Sequence, residues 1–147
     1  MSEAQRSAPI IEVLGGAGVL GKAVQLDTPL AFAALAQKGL SYRALKAAGA
    51  HLSLSERETG ESLGISARTL VRRKSKRLLP GEGERVLNLA RVVARALDVF
   101  EDLEKTKLWF MSPSRALGRA PIKLVGSSFG VEALLAELTR IEHGVHS

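Results

Sequence analysis

The stretch that decides the fold is residues 52–77, LSLSERETGESLGISARTLVRRKSKR. Ser53 or Ser55 can cap a first short helix, because a serine hydroxyl accepts a hydrogen bond from the unpaired N–H groups of an opening turn. Gly64 follows that helix, and glycine takes positive φ in a sharp turn at no steric cost. Ser66 is then expected to cap a second helix. Two short helices joined by a turn that contains glycine predict a helix-turn-helix.

The second helix of this motif is predicted to run from Ala67 to about Lys76 and to present a basic outer face. A helix that enters the major groove of DNA needs side chains that reach base edges near its start, and cations for the phosphates further along. A solvated, charged helix end is the alternative interpretation of a basic run, but the turn directly upstream favours DNA binding. The residues predicted to contact DNA are Ser66, Arg68, Thr69, Arg72, Arg73, Lys76 and Arg77.

The charge of the chain is concentrated in the same region. The 147 residues carry a formal net charge of +6. Residues 40–77 hold nine Lys or Arg against three acids, so this segment accounts for the whole excess. Such a concentration indicates a nucleic-acid site rather than a uniformly charged, soluble surface.

Composition excludes several classes of protein. The chain has no cysteine, so it has neither a disulfide nor a thiolate metal site. No apolar run approaches the roughly 20 residues that span a bilayer, and the N-terminus lacks the basic region and apolar core of an export signal. We therefore expect a cytoplasmic protein that does not contact a membrane.

Residues 1–26 are expected to form a flexible, partly apolar arm that packs locally. Within them, Gly16, Gly18 and Gly21 spell G-x-G-x-x-G after an apolar run. A dinucleotide site needs this motif inside a strand–turn–helix unit, with an acid about 20 residues further on for the ribose. Position 41 is a serine, so we do not predict nucleotide binding.

The rest of the chain predicts an all-α fold. Residues 27–80 are expected to form the helix-turn-helix domain, whose first two helices end at Gly39 and Gly49. Residues 81–147 begin with a long helix that carries two apolar strips. Such a helix is either a plain core helix or one that contacts two bodies.

A set of short motifs occupies residues 92–145. They are Trp109, Pro113, Ala116-Leu117-Gly118, Pro121, Leu124, Gly130-Val131-Glu132, Leu135 and Arg140-Ile141-Glu142-His143-Gly144. This pattern resembles the toxin-binding domain of the Xre/MbcA/ParS-like antitoxins, and the helix-turn-helix resembles the N-terminal half of the same proteins. In this sequence Arg119 replaces the second glycine of the family's Leu-Gly-Gly segment and Lys123 replaces an acid, changes that bear on which toxin is recognised.

The resemblance implies an antitoxin paired with a RES-type toxin, a relative of ADP-ribosyl transferases that depletes NAD. The antitoxin would cover the NAD-binding cleft of the toxin and would repress its own operon through the helix-turn-helix. It would be no enzyme and would need no cofactor. A homodimer and a larger hetero-oligomer with the toxin are expected, because two-fold symmetric operators suit dimeric proteins.

The residues predicted to contact the toxin lie near the C-terminus. They are Arg115, Lys123, Arg140, Glu142, His143, Val145, His146 and Ser147. Trp109 and Phe110 are large enough to anchor an interface, although a core role is favoured for Trp109 because apolar residues flank it. No acid or cysteine accompanies the terminal histidines at ligand spacing, so no metal site is expected.

An antitoxin has two alternatives, a transcription repressor and an enzyme. A stand-alone transcription repressor would use the C-terminal half to sense a ligand or to dimerise. An enzyme is disfavoured, because the sequence shows no nucleophile–base constellation of the kind that catalysis needs.

Overall fold

The computed structural model describes the backbone of residues 3–22 and 24–144, and the side chains of these ranges from residue 8 onward. Nine α-helices and one 3-10 helix occur in these ranges, and the prediction of an all-α fold is confirmed. The helices are α1 (Glu3–Val13), α2 (Ala17–Leu20), α3 (Pro29–Lys38), α4 (Tyr42–Ala50), α5 (Glu56–Ser62), α6 (Ala67–Arg73), α7 (Pro80–Phe100), α8 (Leu103–Met111), the 3-10 helix (Pro121–Leu124) and α9 (Ser128–Gly144).

Helix α7 is the central element of the fold. It contacts α1, α3 and α4 on the N-terminal side and α8 and α9 on the C-terminal side. Val86, Leu89, Val92 and Val93 are all fully buried along its length. The two apolar strips of this helix therefore join the two halves of the chain.

The helix-turn-helix consists of α5 and α6 and follows its local sequence signals. Ser55 caps α5 in a capping box, in which its hydroxyl accepts from the Glu58 N–H at 3.0 Å and the Glu58 carboxylate accepts from the Ser55 N–H at 2.9 Å. Gly64 has a φ of +73°, which makes the turn. Ile65 is buried between the two helices.

Helix α6 ends at Arg73, one turn earlier than predicted. Ser41 and Arg77 form an isolated bridge, the N–H of Leu78 donates to the Leu40 carbonyl at 2.8 Å, and Leu78 is buried. The chain leaves the helix at this point because these contacts require extended backbone.

The N-terminal segment differs from the prediction of a flexible arm. Helix α1 packs on α7, and Val13 and Leu14 belong to the core. Leu26 is also buried, just before α3. The apolar run of this segment is thus one face of a helix that packs on residues far away in sequence.

Two glycines allow close packing inside the fold. Gly49 lies within α4 rather than after it. Its small size lets Thr59 of α5 approach, since a Cβ there would stand 1.8 Å from the Thr59 hydroxyl. Gly130 lies in the first turn of α9, where a Cβ would stand 2.0 Å from the Leu124 carbonyl oxygen. The first contact joins α4 to α5, and the second joins α9 to the 3-10 helix.

Candidate functional site

The candidate DNA-binding surface lies on α6. This helix packs on the core through one side chain and is capped at its start. Leu70 is buried beneath the helix. The Ser66 hydroxyl accepts from the Thr69 N–H at 3.2 Å and donates to the Thr69 hydroxyl at 3.0 Å. These two predicted DNA contacts therefore also fix the start of the helix.

Four cations project from this helix and from the segment after it. The side chains of Arg68, Arg72, Lys74 and Lys76 are exposed and form no hydrogen bond or ion pair within the part of the chain that the structure describes. Side chains without internal partners are available to neutralise phosphates or to reach bases. Arg77 is exposed as well, but its guanidinium donates to the Gly39 carbonyl at 2.8 Å.

Arg73 has a different role in the structure from the predicted DNA contact. Its guanidinium forms a two-point ion pair with Glu82, at 2.7 Å from Nε to Oε1 and 3.2 Å from Nη2 to Oε2, and the two side chains are 12% and 10% exposed. Burial opposes ionisation of Glu82, but the hydrogen bonds from Arg73 and from the Leu79 N–H lower its pKa overall. Arg73 therefore ties α6 to the start of α7 and is not directed at DNA.

Arg85 supports the helix-turn-helix from α7, a role that the sequence did not indicate. Its Nη1 donates to the Leu63 carbonyl at 2.7 Å, and its Nε donates to the Gly81 carbonyl at 3.3 Å. The Leu63 carbonyl ends α5, where carbonyl groups lack helical partners. Arg85 and Leu63 are 22 residues apart in the sequence. No local sequence motif therefore predicts their hydrogen bond.

The candidate partner-binding surface lies on the C-terminal half. Arg115 and Lys123 are exposed and are without an ion pair among the residues described. Arg140 pairs with Glu137 at 2.9 Å, yet its side chain remains 66% exposed. His143 is exposed at the end of α9. The predicted contacts Val145, His146 and Ser147 lie outside the described residues.

Glu142 has an internal role that the sequence did not indicate. Its carboxylate accepts two hydrogen bonds from Arg95 of α7, at 2.9 Å and 3.0 Å. The same guanidinium donates to Asp98 at 2.9 Å. Glu142 thus holds the end of α9 against α7, and its side chain, 38% exposed, stays a predicted partner contact.

The two aromatic residues of α8 pack in or against the core, with Phe110 buried and Trp109 partly buried. Phe110 is fully buried, so its expected role as an anchor is wrong. Trp109 packs between Phe100 and Phe110, with ring centroids 5.9 Å and 4.9 Å apart. The core role favoured for Trp109 is confirmed.

Phe129 is an exposed aromatic residue that the sequence analysis overlooked. It is 86% exposed in the first turn of α9, beside the tightly packed Gly130. The buried residues Val131, Leu134 and Leu138 form the apolar stripe of this helix. At about 100° per residue, Phe129 projects from the opposite side, a signal that was present in the sequence.

A cleft of about 540 Å³ lies between α3 and α7. Phe32, Ala36 and Leu87 line it, and Arg91 stands over the Phe32 ring at 5.7 Å from the centroid. The cleft is in the N-terminal half, whereas the ligand-sensing alternative placed its site in the C-terminal half. Among residues 3–22 and 24–144, no helix is long and apolar enough to cross a membrane.

Comparisons with known proteins match both halves of the chain. Residues 31–91 match the family model of the antitoxin Xre-like helix-turn-helix domain, and residues 95–144 match that of the antitoxin Xre/MbcA/ParS C-terminal toxin-binding domain. The chain is 34% identical over 99 residues to Antitoxin Xre of Yersinia enterocolitica serotype O:8 / biotype 1B (strain NCTC 13174 / 8081), covering 65% of this chain and 67% of that protein. The first matched range ends inside α7, and the second begins there.

Proposed function

Since this chain belongs to the antitoxin Xre family, we propose that it neutralises a cognate RES-type toxin and represses the operon that encodes the pair. The observation that carries the proposal is the order of the two matched domains, each of which has exposed cationic side chains. Helix α7 holds both domains through its buried side chains. One molecule can therefore act on a toxin and on DNA with separate surfaces.

On the toxin side, neutralisation consists of covering the NAD-binding cleft. A protein surface competes with a small nucleotide when it buries a larger area around a few well-placed anchors. Phe129 is such an anchor, because the packing of Gly130 against Leu124 fixes its position before binding. Besides this anchor, we assign toxin contacts to Arg115, Lys123, Arg140 and His143, together with residues 145–147.

On the DNA side, α6 enters the major groove of the operator. Arg68 lies near the start of the helix and reaches base edges, while Arg72, Lys76 and Arg77 neutralise phosphates. Ser66 and Thr69 fix the helix start and contact the backbone of the DNA. A homodimer binds two half-sites of a symmetric operator, and the toxin joins this dimer in a hetero-oligomer.

The experiment that tests both activities compares two variants that interrupt one surface each. Phe129→Ala is expected to weaken copurification with the product of the neighbouring gene and to leave DNA binding unchanged. Arg68→Ala combined with Arg72→Ala is expected to do the reverse, with a loss of at least tenfold in affinity for the upstream DNA. Leu30→Ala is the control, because Leu30 is 82% exposed on α3. Equal loss of both activities in either variant would contradict separate surfaces.

A stand-alone repressor that binds a small ligand is the second candidate, and the cleft between α3 and α7 is the observation that favours it. This cleft is largely apolar and offers the polar groups of Asn88 and Arg91. A wild-type protein that binds the upstream DNA but forms no complex with the neighbouring gene product would support this candidate.

A further inference from the structure

Helix α6 has two flanks beside its central basic face, and they differ in environment. Residues four apart lie on the same side of a helix. Thr69 and Arg73 lie on the flank that faces α7, as the ion pair of Arg73 with Glu82 requires. Ala67 and Val71 lie on the other flank, where both are exposed.

Val71 is 66% exposed although it is a branched apolar residue. Arg68, three residues earlier, is its neighbour on the side of the basic face. The two apolar side chains thus form a narrow strip along a surface that is otherwise charged. Such a strip gains nothing from phosphates, whereas an apolar group on a bound partner stabilises the complex by covering it.

The major groove of DNA offers one prominent apolar group, the C5-methyl of thymine. We propose that Val71, with Ala67 beside it, contacts a thymine methyl in each operator half-site and so sets part of the sequence preference. The inference rests on the proposed operator binding. The other proposed DNA contacts are made by cationic or polar side chains. The contact of Val71 would add an apolar one that distinguishes thymine from other bases.

The test uses duplexes that carry the binding site upstream of the gene, with single thymines replaced by deoxyuridine. This replacement removes the methyl group and leaves the hydrogen-bonding edge of the base intact. At one thymine position of each half-site, wild-type affinity is expected to fall about fourfold, which corresponds to about 0.8 kcal/mol for one buried methyl group.

The Val71→Ala variant completes the cycle. It is expected to bind the thymine duplex more weakly, by a similar factor, and to lose the sensitivity to deoxyuridine at the same position. Leu30→Ala should keep that sensitivity. Since Val71 is exposed, its truncation leaves the core unchanged, and a thermal melt checks this.

Two results overturn the inference, and they are distinguishable. Specific binding in which no thymine position depends on Val71 removes the methyl contact and leaves operator binding in place. Failure of the wild type to prefer any upstream fragment removes the proposed operator binding, and the methyl contact with it.

Discussion

The most informative single substitution is Gly130→Ala, because this glycine sets the position of the proposed toxin surface. A Cβ at Gly130 would lie 2.0 Å from the Leu124 carbonyl oxygen and 2.9 Å from its carbonyl carbon, well inside the 3.4 Å at which ordinary contact begins. The two nearest atoms are backbone atoms of Leu124, so α9 and the 3-10 helix have to separate by about 1 Å. The displaced groups include Phe129 and Lys123.

The expected loss in the free energy of unfolding of Gly130→Ala is the net result of two opposing effects. Overpacking a tight contact costs about 1–3 kcal/mol, and a backbone neighbour places this case near the upper end. Alanine has a higher helix propensity than glycine, which stabilises the helix by up to about 1 kcal/mol. The net loss of about 2 kcal/mol corresponds to a melting temperature about 4–8 °C lower.

The assay is thermal or urea unfolding of Gly130→Ala beside Gly81→Ala. Gly81 lies in the first turn of α7, and a Cβ there meets nothing within 4 Å. The control is therefore expected to be at least as stable as the wild type, and toxin affinity is expected to fall for Gly130→Ala alone. If the two variants melt at the same temperature, the tight packing of α9 on the 3-10 helix is refuted.

Two further predictions concern pH and the chain end. The lowered pKa of Glu82 means that its ion pair stabilises the fold at neutral pH, and that this contribution is lost as the pH falls through the folded-state pKa, below 4.5. The gap in melting temperature between the wild type and Glu82→Gln should thus narrow between pH 7 and about pH 3; a constant gap would contradict the assignment. Deletion of residues 143–147 keeps the pair of Glu142 with Arg95 and is expected to weaken toxin binding but not DNA binding. Unchanged copurification with the toxin would exclude these residues from the interface.

The parts of the fold that sequence analysis predicted correctly depend on neighbouring residues. Ser55, Gly64 and Ser66 act within one or two helical turns, and each has the role that its chemistry suggests. Capping and turn formation are local, so a single sequence suffices to recognise them.

The errors arose where a residue's role is set by a distant partner. Arg73 looks like its basic neighbours until Glu82 of α7 is brought beside it, and Glu142 looks like a terminal acid until Arg95 reaches it over 47 residues. Gly49 resembles a helix stop, although its small size serves the contact with Thr59. Long-range pairing of this kind leaves no periodic signal in one sequence.

The N-terminal segment illustrates the same limit. Its glycines suggested a flexible arm, whereas Val13 and Leu14 are buried against the rest of the core. Apolar spacing within a short helix shows that a face is apolar and does not show which element covers it.

The measurement that tests the central claim most directly is the NAD content of cells that express the neighbouring gene alone, with this chain, or with its Phe129→Ala variant. The account predicts that NAD falls with the neighbour alone, is restored by the wild-type chain, and is restored less by the variant. Unchanged NAD when the neighbour is expressed alone, or loss that the wild-type chain does not prevent, would contradict neutralisation of an NAD-depleting toxin.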